Sequence, residues 1–225
     1  MIGIIGAMDV EVDLLKSNIQ NKKEKKIGNY NFISGILRNK EVVIVKCGVG
    51  KVASSVALTL LCEIYNPEFI INTGIAGGND FLESRDITIP IRFYYSDVDV
   101  TAFGYKIGQM PGQPEYFEPN EKCVEKVQKA LESLNLEYKR VYAMSADSFI
   151  TSHEALKYDL TGSTIYEMEG ASLAQASLML NVPFVAIRFI SDIIGAPSQI
   201  EDYSKFEEDI AKVSNEIILN VIANL

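Results

Sequence analysis

The sequence predicts an α/β fold in a single domain over residues 1–225, and three observations carry that expectation. Apolar runs of strand length alternate with segments of helical period along almost the whole chain. A hydrophobic content of 48% in 225 residues is ample for one continuous core. No linker, internal repeat or low-complexity segment interrupts the alternation.

The first half reads as a strand near 2–6, a helix near 9–20, two strands near 29–47, a helix near 50–65 and a strand near 69–73. Between them, Lys22-Lys23-Glu24-Lys25-Lys26 reads as a solvated turn. The second half adds strands near 86–95 and 138–145 with a helix near 119–134 between them. Strands near 164–169 and 183–190 then flank a helix near 170–181 that opens on the small residues Gly170-Ala171-Ser172. A closing helix near 203–224 spaces Phe206, Ile210, Val213, Ile217 and Val221 for one buried face. The main irregular stretch runs from Thr101 to Phe117 and combines turn formers with four aromatics. A structured loop of that kind either packs on itself or binds something, and Phe103 and Tyr105 suit a partner subunit or a ligand lid.

A net charge of −9 argues against nucleic acid and anionic membranes, whose phosphates are bound through clustered Lys and Arg. Cys47, Cys62 and Cys123 lie far apart with no CxxC pair, so they read as reduced thiols and imply neither a zinc cluster nor a disulfide framework. Met1 is followed by Ile2-Gly-Ile-Ile-Gly6 and then Asp9, Glu11 and Asp13, which lacks the basic and apolar regions of a signal peptide. No apolar stretch approaches the roughly 20 residues of a membrane helix. The expectation is a cytoplasmic protein.

The most informative segment is Val185-Ala-Ile-Arg-Phe-Ile-Ser191-Asp192, an apolar run that carries Arg188 inside it and delivers Asp192 at its end. A buried strand does not hold a guanidinium or a terminal carboxylate without a partner or a ligand. Just upstream, Thr164-Ile-Tyr-Glu-Met-Glu169 also ends in acids, so two parallel strands are expected to converge their carboxyl ends on one place.

Elimination narrows the chemistry. His153 is the only histidine, so a Ser-His-Asp triad would have to use it, and in Thr151-Ser-His-Glu154 it reads as a surface residue in a first helical turn. Lys157 stands where a zinc protease motif needs its second histidine. Cys47-Gly-Val-Gly-Lys51 is not a phosphate loop, because Val45 replaces the first Gly and Val52 follows the Lys. Gly3 and Gly6, and Gly74, Gly77 and Gly78, lack dinucleotide spacing, and they indicate close backbone approach at strand ends, where open α/β sheets place ligands.

Carboxylate chemistry remains, with Glu11, Glu169 and Asp192 as candidates and Arg188 and Ser191 as polar companions. Carboxylates on separate strand ends can divide acid, base and cation-stabilising roles, as hydrolysis through an oxocarbenium-like state requires. Each also has a structural reading: Glu11 as a first-turn acid, Glu169 as the cap of the following helix, and Asp192 as the ion-pair partner of Arg188.

Several motifs resemble, in order and spacing along almost the whole chain, the bacterial 5′-methylthioadenosine/S-adenosylhomocysteine nucleosidases of the nucleoside phosphorylase superfamily. They are Ile5-Gly-Ala-Met-Asp-Val-Glu11, Gly48-Val-Gly-Lys51, Ile71-Asn-Thr-Gly-Ile-Ala-Gly-Gly78, Asp97-Val-Asp-Val-Thr-Ala-Phe-Gly-Tyr105 with Gly108-Gln-Met-Pro111, Ser145-Ala-Asp-Ser-Phe-Ile150, Glu167-Met-Glu169 and Arg188-Phe-Ile-Ser-Asp192.

The resemblance implies a three-layer sandwich with a central mixed, twisted β-sheet flanked by helices. It implies hydrolysis of the N-glycosidic bond of 5′-modified adenosines, with no cofactor and no metal. Asp192 would protonate adenine at N7, Glu11 would activate water, Glu169 would hold the ribose hydroxyls, and Arg188 would place the carboxylates. Substrate contacts would come from Met168 on the sugar, Phe149 stacked on adenine and the Ile150 backbone on its edge, with Ile75, Ala76, Gly77, Glu167 and Ser191 around them. Met8, Val49 and Tyr203 would line the 5′-alkylthio pocket. Val100, Phe103, Tyr105 and Pro111 would enter from the neighbouring subunit of a homodimer with shared active sites.

Departures from the family pattern bear on substrate preference. Ile75 stands where a small polar residue is common, Ser96 where a His is frequent, and Asp202-Tyr203, with about one inserted residue nearby, where a Phe is common. Three competing functions differ in one feature each. A phosphorylase needs a cationic phosphate clamp, where this sequence has Asp9 and Glu11. A hydrolase of futalosine, aminodeoxyfutalosine or 5′-deoxyadenosine needs only a tolerant 5′ pocket. A non-catalytic nucleoside-binding module would dispense with one of the three acids.

Overall fold

The computed structural model spans residues 1–225 and describes all of them except 205–208, so the expected core position at Phe206 lies outside the described residues. In chain order the elements are β1 (Ile2–Gly6), α1 (Asp9–Ser17), β2 (Gln20–Ile27), β3 (Tyr30–Leu37), β4 (Lys40–Lys46), α2 (Lys51–Tyr65) and β5 (Phe69–Gly78). There follow β6 (Ile87–Tyr95), α3 (Glu121–Ser133), β7 (Lys139–Ser145), β8 (Thr164–Glu167), α4 (Gly170–Leu180), β9 (Phe184–Ile193) and α5 (Gln199–Asn224).

Among the described residues the strands form one nine-stranded mixed sheet in the order β2-β3-β4-β1-β5-β8-β7-β6-β9, and β5 also pairs with β9. That extra pairing closes β5, β8, β7, β6 and β9 into a ring, from which β1, β4, β3 and β2 extend as an open sheet. Helices cover both faces. One apolar cluster joins Ile4, Ile44, Ile71 and Ile187 to Leu15 of α1, Val127 of α3 and Ile218 of α5; the other joins Ile5, Val43 and Ile70 to Leu58 of α2 and Leu173 of α4. Each fully buried Leu or Ile in these layers contributes about 1.5–3 kcal/mol relative to exposure. The expected α/β sandwich is therefore present, with its sheet closed at one end.

Four expectations change. The lysine run is an exposed edge strand, β2, paired antiparallel with β3. With no apolar face it carries no strand signal, and its lysines discourage a further strand from adding at the edge. β5 does not stop at Thr73 but continues through the glycines to Gly78. Helix α5 starts at Gln199 rather than near 203, and Val213, expected on its buried face, is 54% exposed. The stripe that packs inward instead runs through Ile210, Ala211, Ser214, Ile218 and Ile222.

The fourth change concerns strand direction. β8 is antiparallel to β5 while β9 is parallel to it, so β8 and β9 run in opposite directions. The closed ring still brings the last residue of β8 level with the middle of β9. Opposite directions therefore do not separate their charged groups.

Candidate active site

Arg188 sits in the middle of β9 and is 1% exposed. Its Nη2 donates to Asn72 Oδ1 and to Glu167 Oε2, each at 2.7 Å, and lies 3.7 Å from Glu169 Oε2. Burial alone would lower the guanidinium pKa, but the charges of Glu167, Glu169 and Glu11 outweigh it and hold the pKa above its ordinary value. Gly74, opposite Arg188 on β5, makes room for this cluster. A Cβ there would collide with the Arg188 guanidinium and the Glu11 carboxylate.

Glu11, in the first turn of α1, is folded back over the end of β1. Its Oε2 accepts from the Ala7 N–H at 2.6 Å and the Met8 N–H at 3.0 Å, and its Oε1 accepts from the Ile75 N–H at 3.0 Å. The first-turn role read from the sequence is real, yet the carboxylate also reaches β5 through Ile75. Burial raises its pKa despite Arg188 and the three N–H donors.

Glu169 follows β8, and its Oε1 accepts from the Gly50 N–H at 2.9 Å. Burial and then the Glu167 charge push its pKa up to about 7. Gly50 has φ +98°, and a Cβ there would come within 2.9 Å of Asp147, so the position that offers this N–H requires glycine. Glu169 stands at the N-cap position of α4, as the cap reading expects, but its side chain makes no cap bond. Glu167 Oε2 instead accepts from the Glu169 N–H at 3.0 Å and the Gly170 N–H at 2.6 Å, while its Oε1 accepts from Ser145 Oγ. The chain turns between β8 and α4 so that the earlier acid points at the free N–H groups.

Asp192 does not pair with Arg188. It lies four residues further along β9, where Oδ1 accepts from Ser191 Oγ at 2.6 Å and Oδ2 accepts from Gln199 Nε2 at 2.8 Å. Burial raises its pKa, with the two hydrogen bonds opposing. Gly77 of β5 passes close by, and a Cβ there would lie 3.2 Å from Asp192 Oδ2.

These acids face one cavity of about 80 Å³. Its lining includes Met8, Glu11, Val49, Ile75, Ala76, Gly77, Phe149, Glu167, Met168, Glu169, Ser191, Asp192 and Tyr203, together with Ala7 and Tyr166. Arg188 stands behind the carboxylates and is not part of the wall. Ile150 is also outside the wall, with its carbonyl accepting from Gln199 Nε2 at 2.9 Å. Phe149 and Tyr203 meet edge to face at 5.2 Å, and the Tyr203 hydroxyl lies 3.8 Å from Met8 Sδ.

Val100, Phe103, Tyr105 and Pro111 do not reach this cavity. Phe103 is 79% exposed at the tip of its loop, whereas the other end of the loop is packed, with Phe117 bridged to Phe93 and Tyr116 against Tyr94. His153 lies elsewhere, bonded to Asp159. Among the described residues no set of three or more His, Cys, Asp or Glu side chains is arranged to hold a metal ion, and no helix is long and apolar enough to cross a membrane.

The sequence reading did not single out Asn72, Ser145 or Gln199. Asn72 and Ser145 fall inside motifs that carry the family resemblance, which was their available signal. Gln199 had none, because it lies before the expected start of α5.

The phosphorylase superfamily model matches residues 1–223. A curated relative, the 5′-methylthioadenosine/S-adenosylhomocysteine nucleosidase of Shewanella halifaxensis, is 43% identical over 100% of this chain and 98% of its own. The solved methylthioadenosine/S-adenosylhomocysteine nucleosidase of Streptococcus pneumoniae, in complex with 8-aminoadenine, is 32% identical, with a TM-score of 0.90 over 100% of this chain and 99% of that one. A futalosine hydrolase mutant of Helicobacter pylori is 26% identical, with a TM-score of 0.91 over 100% and 99%. By full-length sequence identity and by fold, the chain belongs to the 5′-methylthioadenosine/S-adenosylhomocysteine nucleosidase family of the phosphorylase superfamily.

Proposed function

We propose that the protein hydrolyses the N-glycosidic bond of 5′-methylthioadenosine, S-adenosylhomocysteine and related 5′-modified adenosines, releasing adenine and the 5′-substituted ribose. The observation that carries the reading is that Glu11, Glu169 and Asp192, from three separate elements, face one cavity. Asp192 gives its proton to N7 as the C1′–N9 bond breaks and the purine keeps the bonding electrons. Burial lets Asp192 hold that proton closer to neutral pH than an ordinary carboxyl does. Water then adds to C1′, and Glu11 takes the proton it loses. The raised pKa of Glu11 makes it a stronger base than an exposed carboxylate.

Glu169 holds the ribose 2′ and 3′ hydroxyls and stabilises the cationic sugar, and Met168 packs on the ring. Arg188 keeps Glu167 and Glu169 in place from behind. Phe149 stacks on the base, the Ile150 backbone meets its edge, and Met8, Val49 and Tyr203 take the 5′ substituent. Water is favoured over phosphate because the cavity wall holds four carboxylates and no Lys, Arg or His among the described residues. An incoming phosphate would meet the ionised carboxylates of the wall, with the one nearby cation, Arg188, already committed to Glu167 and Glu169 behind it.

Two copies associate, in this reading, through a face that includes Phe103. Val52 and Val56 of α2 and Leu178 and Met179 of α4, helices that pack together, are likewise exposed. The partner's aromatic loop then completes the 5′ side of the site with Val100, Phe103, Tyr105 and Pro111. The single domain spans 1–225. Free Cys47, Cys62 and Cys123 suit the reducing cytoplasm.

Adenine release from 5′-methylthioadenosine, with and without phosphate, tests the reaction. Phosphate-independent release is expected; strict dependence on phosphate would make the protein a phosphorylase. S-Adenosylhomocysteine and aminodeoxyfutalosine run in parallel rank the substrates, because the likeness in fold to a futalosine hydrolase gives that alternative weight.

A further inference from the structure

We propose that Gln199 is a further residue of the base site, an internal stand-in for the 6-amino group of the purine, and that adenine binds by displacing it. The proposal rests on the reading of Asp192 and Ile150 as the groups that meet the base.

The geometry of the carboxamide is fully determined by its neighbours. Nε2 donates to Asp192 Oδ2 at 2.8 Å and to the Ile150 carbonyl at 2.9 Å, while Oε1 accepts from the Gly195 N–H at 3.0 Å. The Gly195 bond settles which end is nitrogen, since a reversed amide would aim its oxygen at two acceptors and its NH₂ at a donor. At 3% exposure, Gln199 makes these bonds inside the protein.

Adenine carries its N7 acceptor and its 6-amino donor side by side on one edge. A carboxyl group that protonates N7 through one oxygen therefore faces the amino group with the other. The second hydrogen of that amino group needs another acceptor, and the Ile150 carbonyl converges with Asp192 Oδ2 on a single donor position. Here an NH₂ group with two hydrogens already fills that position, and it belongs to Gln199. The amide and the purine amino group cannot share it.

The aromatic part of the compartment is filled from the same helix. Tyr203, one turn beyond Gln199 on α5, packs against the Phe149 ring, with centroids 5.2 Å apart and ring planes 71° to each other, beside the ring on which a base would stack. The cavity of about 80 Å³ is well below the roughly 300 Å³ at which ligand pockets begin. Something must move for a nucleoside to enter, and the first two turns of α5 carry both side chains in the way. The first turn has no side-chain cap, because Ser198 Oγ donates to Asp202 instead of accepting from the helix.

Calorimetric titration with adenine of the parent protein, Gln199→Ala and Gln199→Met tests the proposal, the methionine variant keeping the apolar stem of the side chain in case the alanine variant fails to fold. Both variants lose the internal competitor and are expected to bind adenine about three- to tenfold more tightly, the scale of one or two hydrogen bonds partly replaced by water. In the parent, the side-chain NH₂ resonances of Gln199 are expected to move when adenine saturates the protein. Unchanged or weaker adenine binding in the variants, or NH₂ resonances that stay in place, overturns the proposal by making Gln199 a permanent support of Asp192. A parent that binds no adenine and releases none sinks the base-site reading as well, whereas equal adenine affinity in parent and variants sinks the Gln199 proposal alone.

Discussion

Nη2 of Arg188 lies 2.7 Å from Oε2 of Glu167, with both side chains at most 3% exposed, and this pair ties the middle of β9 to the turn between β8 and α4. The same guanidinium faces Glu169 and lies against Glu11. One cation thus serves three buried carboxylates, and burial first, then the charge of Glu167 that this single cation does not offset, is why the Glu169 carboxyl retains its proton so readily. Arg188→Met should leave the three acids without compensation in a dry interior, at a cost of about 3–5 kcal/mol. For a chain of this size that is a fall in Tm on the order of 10 °C. A melt within about 2 °C of the parent would show that the acids do not depend on this cation.

Asp192→Asn should leave the fold nearly intact, because the amide oxygen can still accept from Gln199 Nε2 while its NH₂ donates to Ser191 Oγ, which keeps the Ala76 carbonyl as its own acceptor. Adenine release should fall by orders of magnitude, since an amide has no carboxyl proton to give to N7. Circular dichroism melts separate the two effects. Turnover within about threefold of the parent would take the acid role away from Asp192.

The pH dependence of stability follows from Glu169, whose pKa of about 7 stands above the ordinary 4.5. Between those values the folded protein holds a proton that the unfolded chain has lost, so stability falls as pH rises through this window. The stabilisation is complete below about 4.5 and is gone above about 7. Glu11 and Asp192 are raised in the same direction and add to the slope. The lowered acids Asp9 and Asp99 act only below the ordinary carboxylate range. Urea unfolding from pH 5 to 8 should show declining stability, and Glu169→Gln should flatten the decline by about 1–3 kcal/mol. Parallel curves for the two proteins would assign the slope to other groups.

Much of this arrangement was legible in the sequence, because burial and periodicity leave local traces. An arginine inside Val185-Ala-Ile-Arg188 could not be ordinary packing, and the acids at 11, 169 and 192 stood out beside apolar strands. What stayed hidden depended on long-range closure. The two edges of β5 contact strands about 90 and 115 residues away in sequence, and that pairing sets the direction of β8 against β9. For the same reason the sequence offers Asp192 as one structural partner for Arg188, whereas the ring places Glu167 at its side. β2 was hidden because its side chains are polar on both faces, and Gln199 because a single glutamine before an expected helix carries no pattern.

Association of two copies can be tested at Phe103, which is 79% exposed and lies outside the packed part of its own loop. A large aromatic held in water gains nothing for the isolated chain, whereas burying it against a second copy removes apolar surface from solvent. Phe103→Asp places a charge in that contact without touching the cavity wall of the same chain. Light scattering should then show a shift from dimer to monomer, and KM for 5′-methylthioadenosine should rise at least about tenfold as the 5′ side of the site loses its partner loop. The melting curve of the monomeric form should stay cooperative, since the side chain supports none of the core. A dimer that persists with unchanged KM would place the interface elsewhere and confine the substrate contacts to one chain.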